Sequence, residues 1–104
     1  MRDIEILYFD GCPNHVAAAG LVREVLADRR ASVDVREIRV ESPEDAERLR
    51  FLGSPTVRVG GRDVEPGADE GSDYVLACRV YRTAEGVSGI PDRRWVAAAL
   101  DAAA

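Results

Sequence analysis

Few side chains in this sequence can do chemistry: two cysteines and one histidine in 104 residues. Cys12 follows an apolar run, Ile4-Glu5-Ile6-Leu7-Tyr8-Phe9, and precedes Pro13 and a helix-periodic stretch. That order puts a thiol at the mouth of a helix, where N–H groups point outward and the dipole favours negative charge. A thiol held there loses its proton more readily and becomes a nucleophile or a metal ligand. His15 stands where a Cys-x-x-Cys pair would carry its second sulfur. At i+3 it can donate to the sulfur or accept its proton. Asp10 disfavours a nearby anion unless it pairs with His15. Cys78, the second thiol, lies between Ala77 and Arg79. For it, core packing and a functional role both stand as readings, since free cysteine is often buried.

These residues need a scaffold, and the sequence punctuates one clearly. The run Ile4–Phe9 reads as a central strand, broken by Asp10-Gly11. Cys12 then reads as the N-cap of a helix with Pro13 in its first position. Ala18, Leu21, Val22, Val25 and Leu26 give that helix one apolar stripe, and Arg29-Arg30 lie near its end. Val33–Val40 predicts a second strand. Ser42-Pro43-Glu44-Asp45 predicts a capped helix start, running to about Phe51 or Leu52 and stopping at Gly53. Ser54-Pro55-Thr56-Val57-Arg58-Val59 leads through proline into a third strand. Gly60-Gly61 predicts a two-residue hairpin turn, with Arg62-Asp63-Val64 returning. Residues 66–73 read as a loop, 74–81 as ambiguous between strand and helix, and 83–89 as another loop. Ile90-Pro91 opens a final helix through Trp95, Val96, Leu100 and the terminal alanines. The expected order is β-α-β-α-β-β-α with an extra segment before the last helix. That predicts an α/β domain over residues 1–104, with a mixed four-stranded sheet and helices on both faces.

Composition narrows the function classes. The chain carries 46% hydrophobic and 32% charged residues, ordinary for one globular domain. Its net charge is −5 and its 14 basic residues, all arginine, are dispersed among acids. Nucleic-acid binding needs clustered basic residues, so none is expected. No apolar run approaches the ~20 residues that span a bilayer. No signal-peptide apolar region follows Met1-Arg2-Asp3. A cytoplasmic protein with no membrane span is the expectation. Two thiols in a reducing compartment point to burial, catalysis or metal binding before a structural bridge.

The residues also resemble a known superfamily. The strand–Cys12-Pro13-Asn14-His15–helix unit looks like the active-site turn of thioredoxin-like proteins. Ser54-Pro55-Thr56-Val57 looks like their cis-proline segment, and Gly60-Gly61 like the turn of their hairpin. Within that superfamily, Phe9-Asp10-Gly11-Cys12-Pro13-Asn14-His15 and Cys78-Arg79-Val80-Tyr81-Arg82 resemble the small bacterial DF-family (seleno)proteins, some with selenocysteine at the position of Cys12. Similar chains are sometimes labelled alkylmercury-lyase-like. The resemblance implies a thioredoxin-like fold and a reactive chalcogen at position 12.

Three functions follow as expectations. In the first, Cys12 is the nucleophile of a thiol–disulfide or peroxide-reducing enzyme, tuned by His15. Cys78 or a small-molecule thiol then resolves the oxidised sulfur. Pro13, Ser54, Pro55 and Thr56 would bind substrate, the backbone beside Pro55 pairing with an extended thiol or disulfide partner. No resident cofactor is needed, and the chain would act as a monomer or weak homodimer. In the second, Cys12, His15 and Cys78 hold a soft metal such as Zn²⁺, Cu⁺ or Hg²⁺. In the third, the domain is a non-catalytic docking module. Arg58, Arg79 and Arg82 are expected to face solvent, and Trp95 to anchor the core.

Overall fold

Four strands form one mixed sheet in the order β2-β1-β3-β4. They are β1 (Ile4–Tyr8), β2 (Val35–Arg39), β3 (Thr56–Val59) and β4 (Arg62–Asp63). The structure is a computed structural model that describes residues 3–102. β1 runs parallel to β2, with Ile4 opposite Val35 and Tyr8 opposite Arg39. It runs antiparallel to β3, with Ile4 opposite Val59 and Leu7 opposite Thr56. The start of β3 therefore lies beside the end of β1, next to the Cys12 turn. β2, at one edge, carries the exposed charges Arg36, Glu37 and Arg39, while the opposite edge strand, β4, has two residues.

Alternation along the strands divides the core between two faces. Ile4 and Ile6 of β1 and Val57 and Val59 of β3 pack with Val22, Val25 and Leu26 of α1 (His15–Asp28) and Val96 and Leu100 of α3 (Arg93–Ala102). Leu7, on the other face, packs with Val40, Phe51 and Ala46 of α2 (Pro43–Arg48). Helices thus cover both faces, as the element order implies. Trp95 is half-buried against the α1–α3 side of the core.

The local signals explain most boundaries. Ser42 caps α2, its hydroxyl accepting from the Asp45 N–H at 3.1 Å, with Pro43 in the first turn. Gly60 and Gly61 both have positive φ (59° and 83°), the geometry of a tight two-residue hairpin. Asp92, just before α3, accepts the Arg94 N–H at 2.9 Å; this aspartate, not Ile90-Pro91, sets that helix start.

Four expectations need correction. Asn14, not Cys12, is the N-cap of α1; the Cys12–His15 turn precedes the helix, with His15 N–H reaching the Cys12 carbonyl at 3.5 Å. α2 stops at Arg48 rather than near Phe51. Arg50 adopts φ +56°, and the Phe51 N–H turns back to the Ala46 carbonyl at 2.8 Å. This reversal seats the fully buried Phe51 in the core. Residues 74–80 form neither helix nor regular strand, but touch the sheet by one isolated bridge, Ser54 with Cys78. Part of the expected loop at 83–89 is a hairpin: β5 (Tyr81–Thr83) pairs with β6 (Gly86–Ser88). Ala103 and Ala104 of the expected final helix lie outside the described residues. No helix among the described residues is long and apolar enough to cross a membrane.

Candidate active site

Cys12 is a half-buried free thiol between the end of β1 and the start of α1. Its N–H donates to the Phe9 carbonyl at 3.2 Å, closing the turn through Asp10-Gly11, where Gly11 takes φ +88°. Asn14 makes no side-chain capping bond, and no acidic residue occupies the first turn of α1. The leading amides of that helix are therefore left to other partners. Pro13 is exposed on this turn. Asn14 instead packs on Gly89, where a Cβ would sit 2.2 Å from its amide nitrogen.

The His15 side chain is held by two residues of the sheet. Its ring stacks on Tyr8, centroids 3.6 Å apart and planes within 7°. Its Nε2 lies 2.5 Å from Glu37 Oε1 on β2. Among the described residues no side-chain hydrogen bond connects it to Cys12; its partners belong to the sheet.

The second thiol arrives by a route that the sequence does not reveal. Cys78 is exposed, yet the backbone on either side of it is pinned. Ser54 N–H donates to the Ala77 carbonyl at 2.8 Å, and Arg79 N–H donates to the Ser54 carbonyl at 2.9 Å. Ser54 Oγ in turn accepts the Phe9 N–H at 3.4 Å. One buried serine thus joins the segment leading into Cys12 to the segment carrying Cys78. Gly53 makes the approach possible: a Cβ there would lie 2.9 Å from Arg79 Cβ and 3.2 Å from the Ala77 carbonyl oxygen, and its φ is +118°.

Ser54, Pro55 and Thr56 do not form an open groove. All three are buried, and the Ser54–Pro55 bond is cis. Thr56 Oγ1 donates to the Gly53 carbonyl at 2.6 Å and accepts from Arg79 Nη1 at 3.1 Å. Ser54 and Thr56 are both bonded to the 77–79 segment. At this end of the sheet an open cleft of about 380 Å³ is lined instead by Phe9, Asp10, Arg39, Val40, Glu41 and Leu76.

Arg79 is the residue the sequence reading missed. Expected in solvent, it is buried. Its guanidinium contacts Asp63 at 2.8 and 3.1 Å and Glu65 at 2.8 Å, and lies 4.4 Å above the ring of Tyr81. Burial alone would lower its pKa; the bonds to Asp63 and Glu65 and the surrounding charge outweigh that and raise it. Tyr81, fully buried, donates its hydroxyl to the Pro55 carbonyl at 2.5 Å. Burial raises its pKa, with Asp63 and Glu65 adding and Arg79 opposing. This cluster clamps the Cys78 segment to β3 and β4. Charge-pattern reasoning points to it, since a buried Arg79 needs acids and the Asp63-Val64-Glu65 stretch supplies two at alternate positions. Arg58 is also no free surface charge: it is half-buried and donates to the Arg50 carbonyl at 2.7 Å. Arg82 is exposed as expected.

No group of three His, Cys, Asp or Glu side chains among the described residues is arranged to hold a metal ion. Cys12, His15 and Cys78 are therefore not gathered as a ligand set. Comparison with known proteins finds no match: no family model, no curated protein and no solved structure matches this chain.

Proposed function

We propose that this chain is a thioredoxin-like, thiol-dependent redox protein with Cys12 as its nucleophile. The observation that carries the reading is the Ser54 junction, which ties both thiol-bearing segments to one corner of the sheet. Support also comes from the position of Cys12 beside the uncapped start of α1 and from the β2-β1-β3-β4 order with helices on both faces.

In the reaction, the Cys12 thiolate attacks one sulfur of a substrate disulfide. A Cys12–substrate bond forms and the substrate S–S bond breaks, expelling one substrate thiolate, which takes up a proton. Cys78, or a small-molecule thiol, then attacks the Cys12 sulfur and expels the second substrate thiol. The substrate gains two electrons and two protons; the protein, or the protein with the small thiol, loses them. His15 contributes by position: stacked on Tyr8 and held by Glu37, it fixes the first turn of α1 beside Cys12.

Intact mass after mild peroxide or a small disulfide tests the reading. A loss of two protons, or a stoichiometric mixed disulfide on Cys12, is expected. No change at Cys12 under conditions that oxidise a free model thiol would overturn it.

A further inference from the structure

Three arginines that pair with no carboxylate open onto one cleft. Among the described residues, Arg30, Arg50, Arg58, Arg62 and Arg82 form no ion pair, whereas the other described arginines do. Arg50, Arg58 and Arg62 line a cleft of about 330 Å³ between the end of α2, the β3–β4 hairpin and the loop through Tyr74. It lies at the end of the sheet away from Cys12, where Gly60 N–H meets the Asp3 carbonyl at 3.0 Å.

The lining is strongly biased in charge. Its one acid, Asp69, has both oxygens turned onto the Asp63 N–H, at 3.1 and 3.3 Å. Three guanidiniums against one committed carboxylate leave the cleft positive on a chain of net charge −5. Arg58 is steadied by its bond to the Arg50 carbonyl. Tyr74 adds a hydroxyl with no hydrogen-bond partner among the described residues, and Leu52 an apolar wall. Guanidiniums present planar forks of N–H donors that match the oxygens of a phosphoryl group, and the volume suits a small molecule.

We propose that this cleft binds the phosphoryl or pyrophosphoryl group of a small molecule, held by Arg50, Arg58 and Arg62 with Tyr74 as a further donor. The proposal is independent of the thiol chemistry.

The fold supplies a matched pair of variants. Arg50 follows α2 with φ +56°, and Arg30 follows α1 with φ +51°. Glycine accepts both conformations without strain, so Arg50→Gly and Arg30→Gly remove the same group from the same backbone setting, one inside the cleft and one outside. Calorimetric titration of the full chain with inorganic pyrophosphate at low ionic strength is the experiment. Saturable binding is expected, weakening with added salt. Arg50→Gly and Arg62→Gln should each lower the affinity by about tenfold or more, while Arg30→Gly leaves it unchanged. Absence of saturable binding to the wild type would overturn the proposal. So would an affinity that survives Arg50→Gly, or one that falls equally in Arg30→Gly.

Discussion

Cys78 stands directly opposite Ser54 in a parallel bridge, its neighbours Ala77 and Arg79 bonded to both backbone groups of that serine at 2.8 and 2.9 Å. The backbone edge beside Pro55, expected from the sequence to be open to an extended substrate, is filled by the chain's own residues 77–79. Another strand could pair with Ser54 only by displacing them. The exposed thiol is thus mounted on a segment whose backbone is bonded to the residue before Pro55.

The first prediction concerns that thiol. Under mild peroxide, wild-type protein should lose two protons in intact mass, and Cys78→Ser should not. Cys12→Ser should abolish the change as well. A two-proton loss that persists in Cys78→Ser would exclude Cys78 as the resolving thiol.

Gly53→Ala should be strongly destabilising. The new methyl group would meet Arg79 Cβ at 2.9 Å and backbone at 3.2 Å, at a φ of +118°. Backbone strain of about 1–3 kcal/mol adds to overpacking of about 1–3 kcal/mol. Urea denaturation reads the total, and a loss below about 1 kcal/mol would show that the 77–79 segment yields easily.

Arg79→Ala should cost about 3–5 kcal/mol, because it leaves a buried carboxylate without its counter-charge. The Asp63 side chain is only 1% exposed. Arg79→Lys should recover part of this, since one ammonium cannot serve Thr56, Asp63 and Glu65 in the fork geometry. Equal stability of the lysine variant and wild type, by the same denaturation, would contradict the clamp.

Asp92 provides a pH signature. Hydrogen bonds from the Arg94 side chain, then from the Arg94 and Ala84 N–H groups, lower its pKa from 3.8 to about 2. The unfolded chain therefore takes up this proton at higher pH than the folded one. The stabilisation is present above 3.8 and is lost as pH falls through about 2. Asp92→Asn should lower the melting temperature at neutral pH, and its gap to wild type should close on acidification across that window. A pH-independent gap would assign the effect to the amide itself.

Much of the scaffold was legible because its signals are local. The stripe from Ala18 to Leu26, the Ser42 cap and the Gly60-Gly61 turn each act within a few residues, and each produces the expected element. What escaped depends on distant partners. Arg79 reads as a surface charge until Asp63, Glu65 and Tyr81 surround it. Residues 74–80 have no periodicity because they are fixed by Ser54 and Gly53, more than a helix length away in sequence. Cys12 and His15 stand out by type and spacing, but the direction of the His15 ring is set by Tyr8 and Glu37 on the sheet.

The charged outer strand β2 and the two-residue β4 bear on how copies of the chain meet. A foreign strand seeking to extend the sheet at β2 must lie beside Arg36, Glu37 and Arg39, and at β4 finds almost no length to grip. Runaway lateral stacking of this sheet into fibres is disfavoured at both of its margins.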